Sequence, residues 1–229
     1  MSRFLGYRGG AMNPRLRAAL TLVIGSLATG LVACGAPGVS GSGPTTSESR
    51  TVDPFTRVEV GNGIELTVQV GGAQAVDVVA QENILPLITT TVGAGILRIH
   101  STESFTTTAE VTVAASVSAL DGISASGGSQ AQIEGLPNDH LDIDISEGAG
   151  LVATGRATDV TLVAGGGARA DLAALSVERM SLELSGGASA DLSVSDQLTG
   201  TASGGAIANV AGGAALNVAT SGGASVTSK

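Results

Sequence analysis

"SGGASADLSV" (Ser185–Val194) sets two adjacent glycines before small residues and then alternates apolar with polar positions. Related phrases recur as "SGGSQAQIEG" (126–135), "SEGAGLVATG" (146–155), "AGGGARADLA" (164–173), "SGGAIANVAG" (203–212) and "SGGASVTSK" (221–229). Taking the residue ahead of each glycine pair or its variant as a marker gives Ser126, Ser146, Ala164, Ser185, Ser203 and Ser221. Their spacings are 20, 18, 21, 18 and 18 residues. A period near twenty is the signature of a solenoid whose coils stack one on the next.

Within one coil, "DVTLVAGGG" alternates Val160 and Leu162 with polar neighbours. "ARADLAAL" does the same with Ala168, Ala170 and Leu172, and "SVERMSLEL" presents Val177, Leu182 and Leu184. Period-two alternation predicts strands with one buried face, and the wealth of Gly, Ser, Thr and Val disfavours helix. The fold class is therefore all-β, a parallel β-helix or solenoid with two or three strands per coil of about 18–21 residues. Tight corners between strands need backbone conformations that glycine reaches at little cost. They also need small side chains, because the same corner recurs at the strand spacing of about 4.8 Å. Ala188, Ala190, Ala206 and Ala208 suit a narrow interior beside the corner, and Leu192 and Val210 its wider part.

From Thr51 to about Ala125 the repeat fades and strands lengthen, around a turn at "GNG" (Gly61–Gly63) and a hairpin at "GAG" (Gly93–Gly95). These N-terminal strands are expected to cap the stack, protecting an edge that would otherwise invite aggregation. The last phrase has no such cap, which makes the C-terminal coil a candidate surface for homo-oligomer formation.

The order "V-x-x-F-x-x-V-x-V" (Val52–Val60), "GNGIELTV", "QENILPLI" and "GILRIHS", followed by serine–glycine strand repeats, resembles the putative auto-transporter adhesin, head GIN domain family. The resemblance runs from Thr51 to the end of the sequence. It implies a secreted or surface-anchored β-helical domain. SGGA-type phrases stand where the family is associated with serine–glycine–serine–glycine repeats, a difference of corner geometry.

Residues 1–33 form a separate unit. Arg3, Arg8, Arg15 and Arg17 precede the apolar run Ala18–Ala33, and no acidic residue occurs before Glu48. That is the pattern of a secretory signal, and the run is short for a membrane span. It ends in "LVACG" (Leu31–Gly35), which resembles the lipobox of bacterial lipoproteins and implies lipidation of Cys34, the only cysteine. Residues 34–50, rich in Gly, Ser, Pro and Thr, read as a lipidated cysteine followed by a flexible tether, and 51–229 as the β-helix domain. "MNPRLR" at Met12 is an alternative start to Met1. The expected location is the bacterial cell envelope, with the membrane reached through the N-terminal lipid.

Four of the 11 basic residues precede Cys34 and all 20 acidic residues follow it, which leaves the remainder at −13. An acidic domain without basic clusters argues against nucleic acid and against adhesion to anionic lipid. After Cys34 the aromatics are Phe55 and Phe105 alone, so stacking platforms for sugars or bases are missing.

Two constellations carry possible chemistry. In "HLDIDISE" (His140–Glu147), alternation places His140, Asp142 and Asp144 on one face. The plain reading is a solvated outer face; the functional one pairs carboxylates, including Glu147, for glycoside hydrolysis. Asp171, Asp191 and Asn209 follow their markers by seven, six and six residues, forming a column that a cation could bridge. Calcium β-rolls use a nine-residue period, half of this one, so the metal and cofactor expectation is none. The preferred reading is a non-enzymatic envelope lipoprotein, adhesive or scaffolding, contacting a glycan or protein by its outer faces. The alternative is a cell-surface polysaccharide-processing enzyme.

Overall fold

The computed structural model describes residues 38–229; the 1–33 leader and Cys34 lie outside the described residues. The chain opens with β1 (Val39–Ser40) and β2 (Thr45–Ser49), then β3 (Arg57–Val60) and β4 (Glu65–Val70). An excursion follows through β5 (Ala75–Gln81), a 3-10 turn (Leu85–Leu87), β6 (Ile88–Gly93), β7 (Ile96–Ser101), β8 (Phe105–Thr106) and β9 (Thr112–Val117). Coiling resumes with β10 (Gly122–Ala125), β11 (Gln130–Ile145), β12 (Gly150–Ala164), β13 (Arg169–Leu184) and β14 (Ser189–Ala202). It closes with β15 (Ile207–Ala211), β16 (Ala215–Thr220) and β17 (Ser225–Ser228).

Two ladders run along the stack. One follows β6–β7–β3–β10–β11–β12–β13–β14–β16; the other follows β2–β5–β9–β4 and then the first halves of β11 to β14, with β15 and β17. Among the described residues pairing is parallel throughout the coils and antiparallel only at β2/β5, β5/β9 and β6/β7, all in the N-terminal part of the stack. This is a parallel β-solenoid with an N-terminal cap, as the periodicity and alternation require. Strands β11 to β14 are long because each passes from one ladder to the other through a register shift rather than a full corner, as at Ile133/Leu136 and Val152/Gly155.

The full corner is the glycine pair. Gly186 and Gly187 have φ of 57° and 79°, and Ala188 N–H donates to the Ser185 carbonyl at 3.1 Å to close the turn. Positive φ at both central residues defines a type I′ turn, open to Gly and, less readily, Asn. The first glycine also lies close to the coil below: a Cβ on Gly186 would come within 3.1 Å of Gly166 N. The same geometry recurs in every coil, down to Asn62–Gly63, whose Gly63 N–H donates to Gly127 O at 3.0 Å. Arg57–Val70 is therefore already a coil, and the cap consists of the 71–121 excursion together with β1 and β2.

Two expectations change. The third marker is Gly165, not Ala164: Gly165 N–H bonds the Ile145 carbonyl as Ser185 N–H bonds that of Ala164. A run of three glycines left the register ambiguous in sequence. The second change concerns the tether. Residues 39–49 are not loose: β2 pairs with β5 from Thr45↔Gln81 to Ser49↔Asp77, and β1 pairs with β8. Asn83 fastens the connection, accepting from Ser42 N–H at 2.7 Å and donating to Ser40 O at 2.8 Å. Polar, small residues suit an edge strand, where backbone hydrogen bonds supply the order that composition does not.

Inside, the columns are apolar. Ala149, Ala168, Ala188 and Ala206 stack beside the corner at 0% exposure, and Ala190, Ala208, Leu192 and Val210 are buried as expected. Each fully buried Leu, Ile or Val contributes about 1.5–3 kcal/mol, and larger groups in the alanine column would overpack it. Ser129 is buried just after the Gly127–Gly128 corner, where the later coils place these alanines. Its hydroxyl donates to the Ser126 carbonyl at 2.8 Å, so this buried hydroxyl is paired.

Candidate functional site

The strands of the first ladder place Arg57 (β3), Gly122 (β10), Asp142 (β11) and Thr161 (β12) directly beside one another on the outer face. Arg57 and Asp142 are two strands apart, a backbone separation of about 9.6 Å. The Arg57 guanidinium crosses Gly122 and donates to Asp142 Oδ2 at 2.5 Å. Gly122 makes the crossing possible: a Cβ there would stand 2.7 Å from Arg57 Nη2 and 3.0 Å from its Cζ. The other carboxylate oxygen of Asp142 lies 2.8 Å from His140 Nε2. Hydrogen bonding from Arg57 is the main cause that holds the Asp142 carboxyl below its ordinary value, aided by His140 and opposed by partial burial.

The neighbouring column on the same face aligns His140, Asp159 and Arg179. Arg179 Nε and Nη2 fork onto the two oxygens of Asp159, both at 2.8 Å, a bidentate geometry stronger than a single charged contact. It lowers the Asp159 carboxyl and raises the Arg179 guanidinium. On the other side Arg98 Nε reaches Glu59 at 2.8 Å. Between these pairs lies a groove of about 270 Å³, floored by Gly122 and Ser124 and rimmed by Arg57, Glu59, Asp144 and Val163. Asp144 is exposed and makes no ion pair among the described residues.

His140, Asp142 and Asp144 thus share one face, as alternation predicts. Glu147 does not join them. It occupies the corner, with φ of 52°, in the place held by Asn62 in the first coil and by glycine in the others.

The second column is in full register: Asp171, Asp191 and Asn209 are direct neighbours on β13, β14 and β15. With Gly165 as marker each stands six residues on, and the one-residue offset disappears. Asn209 Nδ2 donates to Asp191 Oδ1 at 2.9 Å, Arg169 Nη2 approaches Asp191 Oδ2 at 3.4 Å, and Asp171 accepts from Ala173 N–H at 3.3 Å. The carboxylates are met by protein donors. Among the described residues no group of three or more His, Cys, Asp or Glu is gathered to hold a metal.

Arg57, Gly122, Asp159 and Arg179 were not picked out from the sequence. The signal was present: Arg57, Gly122, Asp142 and Thr161 each stand four residues before a corner, and His140, Asp159 and Arg179 stand six before.

The sequence pattern of the putative auto-transporter adhesin, head GIN domain family matches residues 54–228. The chain belongs to this family. No curated protein matches it. Among solved structures it is similar to a putative adhesin from Bacteroides fragilis, with a TM-score of 0.67 at 16% identity over 84% of this chain and 100% of that one. A putative adhesin from Parabacteroides merdae gives 0.59 at 16% identity, over 85% and 100% of the two chains. A putative lipid binding protein from Parabacteroides distasonis gives 0.53 at 11% identity, over 83% and 99%. At these identities the likeness is one of fold. The head GIN chain shares the solenoid of its relatives, and the adhesin-like family suggests a surface or exported protein. Among the described residues no helix is long and apolar enough to cross a membrane.

Proposed function

We propose that this head GIN protein is a non-enzymatic adhesin that binds a glycan along the outer face between Arg57 and Asp144. The observation that carries this reading is the Arg57–Asp142 clasp over Gly122. It leaves a narrow groove floored by small residues and rimmed by charged groups, which suit hydroxyl-rich ligands without aromatic stacking. An acid that protonates a glycosidic oxygen needs a raised pKa. Asp142 and Asp159 are instead held ionised by arginines, as acceptors rather than proton donors.

Anchoring is part of the proposal. Lipidation at Cys34 would leave four residues to Gly38, a reach of about 14 Å at most, before the chain docks at β1 through Val39 N–H to Ser104 O. The cap would then sit close to the bilayer. A lipid-binding role of the kind named for the Parabacteroides distasonis protein finds no support inside the coil, whose inner columns are filled by Leu, Ile, Val and Ala.

The test is retention of the full chain on a panel of immobilised polysaccharides, with release of reducing ends measured in parallel. Retention without release, weakened by Arg57→Ala and Asp144→Asn, supports adhesion. Reducing-end release that disappears in Asp144→Asn supports the enzyme alternative and ends this reading.

A further inference from the structure

The groove beside Gly122 is lined by three carboxylates, and they are not alike. Glu59 is held by Arg98 and Asp142 by Arg57. Asp144 makes neither an ion pair nor a hydrogen bond among the described residues, and the Thr161 hydroxyl is equally unengaged. Parallel register sets Asp142 beside Thr161 and Asp144 beside Val163, so the four mark the corners of a rectangle. Its sides are about 4.8 Å across the strands and about 6.6 Å along them.

Val163 is the apolar corner. It points outward between Asp144 and Glu183, in a column that runs Glu59, Ser124, Asp144 before it. It is 36% exposed. A lone surface valine needs no explanation. This one lines the groove, one strand away from the single carboxylate there that lacks a partner among the described residues.

We propose that Asp144, Val163 and Thr161 form a subsite for the acetamido group of an N-acetylated amino sugar. The inference rests on the glycan reading and specifies its ligand. In a trans amide the N–H and the acetyl methyl leave by the same edge, and the carbonyl leaves by the opposite one. The N–H donates to Asp144, the methyl covers Val163 beside it, and the carbonyl accepts from the Thr161 hydroxyl one row back. Other substituents match only part of this set. A ring hydroxyl or an ammonium group meets Asp144 and leaves Val163 against water. A deoxy-sugar methyl covers Val163 but brings no amide to join Asp144 with Thr161.

The test is carbon-13 methyl NMR of the full chain in a detergent without a sugar headgroup. The probes are N-acetylglucosamine, N-acetylgalactosamine and N-acetylmannosamine, their parents glucose, galactose and mannose, and fucose, which has a methyl and no amide. At least one N-acetyl sugar is expected to shift the Val163 methyl signals at a concentration where its parent and fucose do not. Val163→Thr, isosteric and exposed, should weaken binding of that sugar by about threefold or more, read by saturation transfer to its acetyl methyl. Val163 signals that no probe moves, that parent sugars or fucose move equally, or an affinity unchanged in Val163→Thr would each overturn the proposal. Polysaccharide retention that still depends on Arg57 would then leave the glycan reading standing; loss of that dependence as well would end both.

Discussion

Arg57 and Asp142 are 85 positions apart in sequence and are joined by a 2.5 Å contact that passes over Gly122. The solenoid creates this relationship by setting Arg57, Gly122 and Asp142 side by side on three successive strands of one ladder. It also fixes its weak point, a single position where a methyl group would intrude.

Gly122→Ala is expected to displace the guanidinium rather than the backbone, because the atoms it meets are the far end of the Arg57 side chain. Both partners are more than a third exposed, so the stability cost stays within about 1 kcal/mol. The sharper readout is the Asp142 carboxyl, followed by carbon-13 NMR. Its pKa should rise toward 3.8 in Gly122→Ala and in Arg57→Gln; an unchanged value would show that the clasp is not what lowers it.

Acid should weaken the fold through the same pairs. Asp142 and Asp159 have folded-state values below the ordinary 3.8. Their contribution is therefore complete above that pH and is lost as pH falls through the lowered values. Melting temperatures of wild type, Asp142→Asn and Asp159→Asn should differ at pH 7 and converge as the pH falls through the lowered values. A gap that stays constant with pH would contradict the assignment.

The corners make opposite predictions for two substitutions. Glu147 holds a left-handed conformation that favours glycine, so Glu147→Gly should stabilise by about 1 kcal/mol, a rise of about 2–4 °C in Tm. Gly186→Ala should lower Tm by at least as much, since it adds the conformational cost to a 3.1 Å approach to Gly166 N. Thermal melts of the two variants check both signs.

Residues 45–49 should be protected in hydrogen exchange, although their composition is that of a linker. Asn83→Ala removes the bonds to Ser40 and Ser42 and should loosen that turn first. Exchange at β2 as fast as in an unstructured peptide would return the segment to a tether.

Calcium should leave the Asp171–Asp191–Asn209 column unchanged, because Asn209 and Arg169 already meet Asp191. A calcium-dependent rise in Tm that vanishes in Asp191→Asn would establish the site this arrangement argues against.

The fold was largely legible because each coil must repeat the same steric solution: paired glycines at the corner, alanine beside them, leucine or valine beyond. The site was less so. His140, Asp142 and Asp144 lie within five residues, and alternation alone places them on one face. Their arginine partners lie a coil or more away, and finding them requires the register. Taking Ala164 as the third marker shifts Asp159 out of line with His140 and Arg179. The strand pairing of residues 39–40 and 45–49, inside the 34–50 segment whose composition is that of a tether, is hidden for a different reason, since an edge strand is ordered by backbone pairing that side-chain composition does not report.

The measurement that bears most directly on the groove is calorimetric titration of a panel-retained glycan into wild-type protein and Gly122→Val. The valine fills the groove floor and displaces Arg57 while the ladder remains. The account predicts at least a tenfold loss of affinity in Gly122→Val, with no change in secondary structure by circular dichroism. Equal affinity for the two proteins would contradict it and place ligand binding elsewhere on the coil.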